Sequence, residues 1–132
     1  MSSPAASPKK ILVVDDEPFV CDTVKLLLAC DGHDVDTAMS GREALEKFSA
    51  GKYDLVITDY SMPEMKGDEL GLKIKSMSPQ QPVVMITAYA EMLRGAEKPV
   101  EGIDHMVSKP FLLEDLRAAI ALTTLSLNVS HS

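Results

Sequence analysis

Tryptophan is absent from this 132-residue sequence, and aromatic residues make up only 5% of it. The interior must therefore be filled by aliphatic side chains and by the eight methionines. Long hydrophobic runs are also missing. Because a membrane-spanning helix needs roughly 18 or more consecutive apolar residues, no span is predicted. The hydrophobic share of 45% is still large enough for a real core, which excludes a wholly disordered chain.

Cysteine is scarce as well. Cys21 and Cys30 lie in one predicted helix, about 13 Å apart at 1.5 Å per residue, which is too far for a disulfide. We interpret both as packing residues. The spacings C-x-x-C and H-x-x-x-H do not occur, so no zinc site is predicted.

Positive charge is in the minority, with 13 Lys and Arg against 20 Asp and Glu and a net charge of −7. Direct binding of nucleic acid is not expected, because it needs clustered basic side chains that neutralise phosphates. The acidic balance is compatible with a site for divalent cations, and equally with an ordinary soluble acidic protein. Residues 1–10 contain no apolar segment, so no secretory signal is predicted and the expected location is the cytoplasm.

Short apolar runs alternate with segments of helical periodicity. The predicted strands are Ile11–Val14, Val35–Met39, Asp54–Thr58, Pro82–Thr87 and His105–Ser108. The predicted helices run from Pro18 to Gly32, from the Ser40-x-x-Glu43 capping box to Gly51, and over about Asp68–Met77, Glu91–Glu97 and Leu113–Leu125. This alternation predicts an α/β domain of five βα units, a doubly wound, five-stranded parallel sheet with helices on both faces.

Polar side chains directly follow the predicted strands. Asp15, Asp16 and Glu17 come after the first strand and Asp59 after the third. The fourth strand ends at Thr87, and Lys109 follows the fifth. Right-handed crossovers place the carboxyl ends of all these strands at one edge of the sheet, where ligands of such sheets bind.

Clustered carboxylates repel one another and need compensation. A hard cation with oxygen ligands, Mg²⁺ above all, supplies it, and Lys109 adds a compact positive charge. The arrangement suits phosphoryl transfer, in which Asp59 serves as nucleophile while Lys109 and Thr87 hold the phosphoryl oxygens.

These residues carry a family resemblance. Asp15-Asp16, Asp59 in D-Y-S-M-P-E-M-K-G, Thr87-Ala88 and Lys109-Pro110 resemble the receiver domains of two-component response regulators. The similarity covers roughly residues 9–125, which we take as the domain, with a flexible lead-in over 1–8 and a short tail over 126–132. It implies a flavodoxin-like sheet with strand order 2-1-3-4-5, an order for which a chemotaxis receiver is a standard example.

The resemblance also implies roles for individual residues. Asp59 is the expected phospho-acceptor and, with Asp15 and Asp16, part of the Mg²⁺ site, in which Asp16 is the main ligand and Asp15 acts mostly through water. The backbone carbonyl of Ser61 completes the metal site. Thr87 and Lys109 bind the phosphoryl group, and the Lys109-Pro110 peptide is expected to be cis. Tyr89 matches an aromatic residue whose inward or outward position reports phosphorylation.

The implied partners are a sensor histidine kinase or phosphotransfer protein, and an output protein that the sequence does not name. A homodimer through helix 4, strand 5 and helix 5 is a further possibility. The domain is expected to catalyse only its own phosphorylation and dephosphorylation and not to be an enzyme. Pro99 interrupts the fourth helix, and no output domain is predicted after the fifth, so the signalling output stays open.

Two other classes of function compete. A haloacid-dehalogenase-type phosphatase also uses an aspartate nucleophile with Mg²⁺, but its D-x-D-x-T motif after the first strand reads D-D-E-P-F here. The other alternative is a receiver-like interaction module that signals without phosphorylation. All the residues that phosphorylation of a receiver domain requires are present, which favours signalling by phosphorylation over this alternative.

Overall fold

The chain folds around one parallel sheet. The computed structural model describes residues 8–95 and 100–129. Its strands are β1 Lys10–Val14, β2 Asp34–Ala38, β3 Leu55–Asp59, β4 Val83–Thr87 and β5 His105–Ser108. Its helices are α1 Pro18–Cys30, α2 Gly41–Lys47, α3 Gly67–Met77, α4 Ala90–Arg94 and α5 Leu113–Val129. The predicted alternation of strands and helices is confirmed.

The five strands pair in the order β2-β1-β3-β4-β5, and every pair is parallel. This confirms the flavodoxin-like order. The direction of winding reverses at β1, which lies between β2 and β3. Ligands of open α/β sheets bind outside the carboxyl ends of the strands near such a reversal.

Both faces of the sheet are covered. Alternate side chains of β1 point to opposite faces, so Ile11 and Val13 join one core cluster while Leu12 and Val14 join the other. The first cluster lies under α1 and α5, with Val24 and Leu116 among its members. The second lies under α2 and α3. The three inner strands, β1, β3 and β4, are buried over most or all of their length for this reason, and polar residues stand at or just beyond their carboxyl ends.

Several predicted boundaries differ from the structure. The capping box is present at α2, since the Ser40 hydroxyl accepts the Glu43 N–H at 3.0 Å. However, α2 ends at Lys47, because Phe48 adopts an extended backbone and turns its ring into the core beneath α2 and α3. At the other end of the chain, α5 continues beyond Leu125 to Val129.

The fourth helix is short, as Pro99 led us to expect, with α4 ending at Arg94. The predicted extension to Glu97, and Pro99 itself, lie outside the described residues, as does most of the predicted lead-in. Cys21 is buried as predicted, but Cys30 is exposed at the end of α1, so its interpretation as a packing residue was wrong. Among residues 8–95 and 100–129, no helix combines the length and apolarity that crossing a membrane requires.

Helix α3 approaches the loop before β5 so closely that only glycine fits. A Cβ added at Gly71 would overlap the carbonyl oxygen of Gly102. We expect Gly71→Ala to lower the free energy of unfolding by about 1–3 kcal/mol, as overpacking does, despite the better helix propensity of alanine. Gly95→Ala is the matched control, because its Cβ would meet only ordinary contacts from 3.5 Å outward. Equal urea midpoints for the two variants would contradict the prediction.

Candidate functional site: an acidic pocket at the carboxyl edge of the sheet

The carboxyl ends of the strands bring together residues that are far apart in the sequence. Asp15 and Asp16 follow β1, Asp59 is the last residue of β3, and Lys109 follows β5. Carboxylate oxygens of Asp15, Asp16 and Asp59 all lie within 4.8 Å of one another. The acidic cluster expected from the sequence is therefore a real pocket in the fold.

The donor set of this pocket fits a magnesium ion. Asp15 and Asp59 are buried, at 3% and 5% exposure, and Asp16 is half-buried and open to solvent on one side. Mg²⁺ prefers one or two carboxylates and keeps several waters, which such a half-open group of oxygens allows. Ser61 lies two residues beyond Asp59 in the loop to α3 with its side chain exposed, and the ligand role of its carbonyl stays a prediction.

Lys109 is the cation of the pocket. Its Nζ lies 2.6 Å from Oδ1 of Asp59 and 4.0 Å from Oδ2 of Asp15. Burial alone would lower the pKa of Lys109, but its hydrogen bond to Asp59 and the surrounding negative charges outweigh burial, so the pKa is raised. Lys109 is therefore a fixed positive charge beside Asp59. The Lys109-Pro110 peptide is cis, as expected.

Burial makes the ionised forms of Asp15 and Asp59 energetically unfavourable. Burial raises the pKa of Asp59, and the hydrogen bond and charge of Lys109 oppose the rise without cancelling it. Burial likewise raises the pKa of Asp15 to about 6; the Glu17 N–H bond opposes the rise and the charge of Asp59 adds to it. Both acids thus resist ionisation, which favours the binding of a cation that compensates their charge.

Asp15 is positioned mainly by backbone groups. Its N–H donates to the carbonyl of Ala38 at 3.0 Å, which extends the β1–β2 ladder by one residue. Its Oδ1 accepts the Glu17 N–H at 2.9 Å. The thiol of Cys21, in the first turn of α1, donates to its carbonyl at 3.3 Å. These bonds fix the direction of the carboxylate before any ligand arrives.

The loop after Asp59 is equally constrained. Tyr60 continues the ladder, because its N–H donates to the carbonyl of Ile86 at 3.0 Å, and its own carbonyl accepts the Gly67 N–H at 2.9 Å. A Cβ on Gly67 would overlap the carbonyl oxygen of Asp59. Gly67 is therefore needed for close approach of α3 to the site.

Thr87 and Tyr89 lie at the end of β4. The Thr87 side chain is buried at 2% exposure, and its hydroxyl accepts the Tyr89 N–H at 2.9 Å. The Lys109 N–H donates to the Thr87 carbonyl at 3.0 Å, which links the ends of β4 and β5. Tyr89 is half-exposed, with its ring directed away from the core and against the ring of Tyr60. The structure thus gives the outward position of Tyr89.

Sequence reasoning missed Tyr60 and Lys66. The Tyr60 ring meets Tyr89 edge to face, with centroids 6.4 Å apart, and Lys66 Nζ lies 5.4 Å from the Tyr60 centroid. The only signal in the sequence was the position of Tyr60 directly after Asp59. Nothing in a strand-and-loop pattern indicates that a residue following β3 touches one following β4.

The charge of Asp15 is expected to cost stability. An acid whose pKa is raised in the fold binds its proton more tightly when folded, so ionisation favours the unfolded chain. The cost is absent below the ordinary value of 3.8, grows as the pH rises, and is complete above about 6. In a chelator at pH 8, Asp15→Asn should raise the free energy of unfolding by about 1–3 kcal/mol, while Asn retains an acceptor for Glu17. Urea unfolding at pH 8 and pH 4 tests this, and an equal gain at both pH values would contradict it.

The fold and the site together define a flavodoxin-like α/β domain with an acidic, lysine-bearing pocket at the carboxyl edge of its sheet. A family model described as the response regulator receiver domain matches residues 11–121. The chain therefore belongs to the response regulator receiver domain family, as the sequence motifs indicated, and to two-component signalling. Receiver domains are signalling domains and not enzymes in the usual sense, and they interact with histidine kinases.

Solved structures agree with this placement. A receiver domain from Clostridium thermocellum superposes with a TM-score of 0.82 at 34% identity, covering 91% of this chain and 97% of that one. The response regulator TrrA from Thermotoga maritima, solved in complex with Mg²⁺-BeF, superposes with a TM-score of 0.78 at 36% identity, covering 87% and 98%.

The curated relatives are longer proteins. The transcriptional regulatory protein TrcR of Mycobacterium tuberculosis is 32% identical over 114 residues, which are 86% of this chain and 44% of TrcR. ZraR of Escherichia coli, also named a transcriptional regulatory protein, is 36% identical over 110 residues, or 83% of this chain and 25% of ZraR. The chain thus spans half or less of the length of such relatives.

Proposed function

We propose that this domain accepts a phosphoryl group onto Asp59 from the phosphohistidine of a sensor kinase or phosphotransfer protein. The observation that carries the proposal is the buried Asp59 carboxylate, held 2.6 Å from Lys109 Nζ within a group of three carboxylates. A nucleophile in such a pocket is presented to the donor in one fixed orientation. Residues 9–125 form the domain that does this.

The chemistry assigned to the side chains is simple. An oxygen of Asp59 bonds to phosphorus as the nitrogen–phosphorus bond of the donor breaks, and the leaving imidazole takes up a proton. Lys109 stays charged and neutralises the phosphoryl oxygens, which repel an approaching carboxylate. Asp15, Asp16 and Asp59, with the Ser61 carbonyl, would hold Mg²⁺, whose charge supplies the remaining neutralisation.

Thr87 connects the site to the surface. Its buried hydroxyl, which now accepts from Tyr89 N–H, turns to donate to a phosphoryl oxygen on Asp59. The Tyr89 N–H then loses its acceptor, and Tyr89 moves inward with the start of α4. The rearranged surface of α4, β5 and α5 is where an output protein, or a second copy of the chain, binds. The net charge of −7 supports a protein partner over nucleic acid, and the proposed location is the cytoplasm.

Phosphorylation with acetyl phosphate and Mg²⁺, followed by intact mass, tests the proposal. We expect one phosphoryl adduct per chain, mapped by peptide analysis to Asp59. Turnover of acetyl phosphate without an adduct would indicate a phosphatase instead. Absence of any reaction would indicate an interaction module that signals without phosphorylation.

A further inference from the structure

An aromatic contact joins the two loops that flank the acidic pocket. The Tyr60 ring, from the loop after β3, meets the Tyr89 ring, from the end of β4, at 75° between planes. Edge-to-face geometry at this separation is one of the favourable arrangements of aromatic pairs. The contact links the residue next to Asp59 with the residue at which α4 begins.

The Tyr60 side of this contact is firmly held. Both backbone polar groups of Tyr60 are bonded, the N–H to Ile86 and the carbonyl to Gly67. The ring is half-buried, and Lys66 lies near it at cation–π distance. Successive side chains at a strand end point to opposite faces, so the Tyr60 ring lies on the other face from Asp59 and takes no part in the chemistry there.

The Tyr89 side is the movable one. Tyr89 is the N-cap of α4, and its carbonyl accepts the Leu93 N–H at 2.9 Å. Besides that bond into α4, among residues 8–95 and 100–129 the Tyr89 N–H bonds to the Thr87 hydroxyl and the ring contacts Tyr60. Phosphorylation would withdraw the first of these two. The ring contact with Tyr60 then still opposes movement of Tyr89, beside the packing of α4 through its buried first residue, Ala90.

We propose that Tyr60 is a positioning residue of the switch, whose ring holds Tyr89 and the start of α4 in the arrangement of the unphosphorylated protein. The inference rests on the proposed function, and in it the Tyr60 ring stabilises the unphosphorylated arrangement and so opposes activation. A two-state switch responds to any contact made in only one of its states. Loss of this contact therefore favours the activated arrangement and tightens the binding of any ligand that selects it.

The size of the effect follows from the strength of an aromatic pair. Removing the Tyr60 ring should raise the affinity for beryllofluoride, which stands in for the phosphoryl group, by about 2- to 10-fold in the presence of Mg²⁺. Tyr60→Leu removes the ring and keeps an apolar side chain. Tyr60→Phe keeps the ring and is expected to match the parent, because the contact does not depend on the hydroxyl.

The experiment is a beryllofluoride titration followed by amide NMR, with the parent, Tyr60→Leu, Tyr60→Phe, Tyr89→Leu and the double variant. Besides the affinity gain, we expect the amides of residues 90–95 in unliganded Tyr60→Leu to shift toward their positions in the bound parent. In the Tyr89→Leu background, Tyr60→Leu should add nothing, because its partner is already absent. Tyr89→Leu also removes the ring that moves inward in the activated arrangement, so it serves only as the background of this comparison, and Tyr60→Met is the second ring-removing variant if Tyr60→Leu folds poorly.

The outcomes separate the inference from the proposed function. Unchanged or weaker affinity in the folded Tyr60 variants that lack the ring, or an undiminished effect of Tyr60→Leu in the Tyr89→Leu background, overturns the role of Tyr60 alone. A parent chain that forms neither a beryllofluoride complex nor an aspartyl phosphate overturns both.

Discussion

Replacing Asp59 by asparagine is expected to reduce phosphoryl labelling from acetyl phosphate by about 100-fold or more, because an amide is a poor nucleophile. Asparagine has nearly the shape of aspartate and can still accept from Lys109 Nζ. The fold should therefore persist, and it should not lose stability, since one of the clustered buried charges is removed with it. Loss of labelling in a folded Asp59→Asn variant would then show that the Asp59 carboxylate is the nucleophile.

The measurement is intact mass after incubation with acetyl phosphate and Mg²⁺, with thermal unfolding as the check on folding. Asp34→Asn is the matched control, because Asp34 begins β2 at the opposite edge of the sheet and is exposed. If Asp59→Asn is labelled at another residue to the same level as the control, the phospho-acceptor lies elsewhere.

The part of the site that the sequence predicted is the part built by the sheet itself. Asp59 and Lys109 each stand at the carboxyl end of an apolar run, and a parallel sheet brings such ends to one edge. The prediction that Asp59 and Lys109 meet at this edge needed no knowledge of loop structure, and their charged groups lie 2.6 Å apart. The positions of the strands follow from the same regularity, with boundaries displaced by one residue at most, whereas the sheet order came from the family resemblance.

The parts that sequence reasoning missed depend on contacts between loops and helices. Phe48 has helical periodicity with Ala44 and Leu45, yet burial of its ring in the core favours an extended backbone that ends α2. Cys30 is apolar by composition, but the register of α1 turns it to solvent. Local propensity is overridden in both cases by where the helix meets the sheet.

Gly67 and Tyr60 illustrate a different limit. A glycine in a loop suggests freedom of the backbone, whereas Gly67 is required because α3 begins against the Asp59 carbonyl. The contact of Tyr60 with Tyr89 joins loops that are separated by more than twenty residues. Side-chain direction in both loops is set by hydrogen bonds across the sheet edge, which no periodicity encodes.

The energetics of the pocket connect stability with ligand binding. The rest of the sheet is covered by apolar clusters, while the carboxyl edge holds acids whose pKa values are raised by burial. A fold can retain buried acids of this kind when the binding of a cation to the folded state offsets the free-energy cost of burying them. The burial and charge repulsion that make the ionised Asp15 carboxylate unfavourable therefore increase the affinity of the pocket for a cation.

Asp16→Ala is expected to weaken Mg²⁺ binding by at least about 10- to 100-fold, since loss of even an outer-shell partner costs this much at metal sites. The substitution removes both oxygens of one of the three clustered carboxylates. Asp16 is the half-buried member of the cluster, so its loss opens the pocket without leaving a cavity in the core. Asp15 and Asp59 remain, but two carboxylates attract the cation less strongly than three.

Calorimetric titration with Mg²⁺ at constant ionic strength measures the change, because added salt screens weak attraction to the exposed acids elsewhere on the chain. Asp34→Ala is the control, and its affinity should equal that of the parent, since Asp34 lies at the far edge of the sheet and pairs with Lys10. Labelling of Asp59 by acetyl phosphate should fall in parallel in Asp16→Ala and recover in part at high Mg²⁺ concentration. Parent-like affinity in Asp16→Ala would refute the magnesium site, whereas weak binding without recovery would place Asp16 in the transfer chemistry and not only in metal binding.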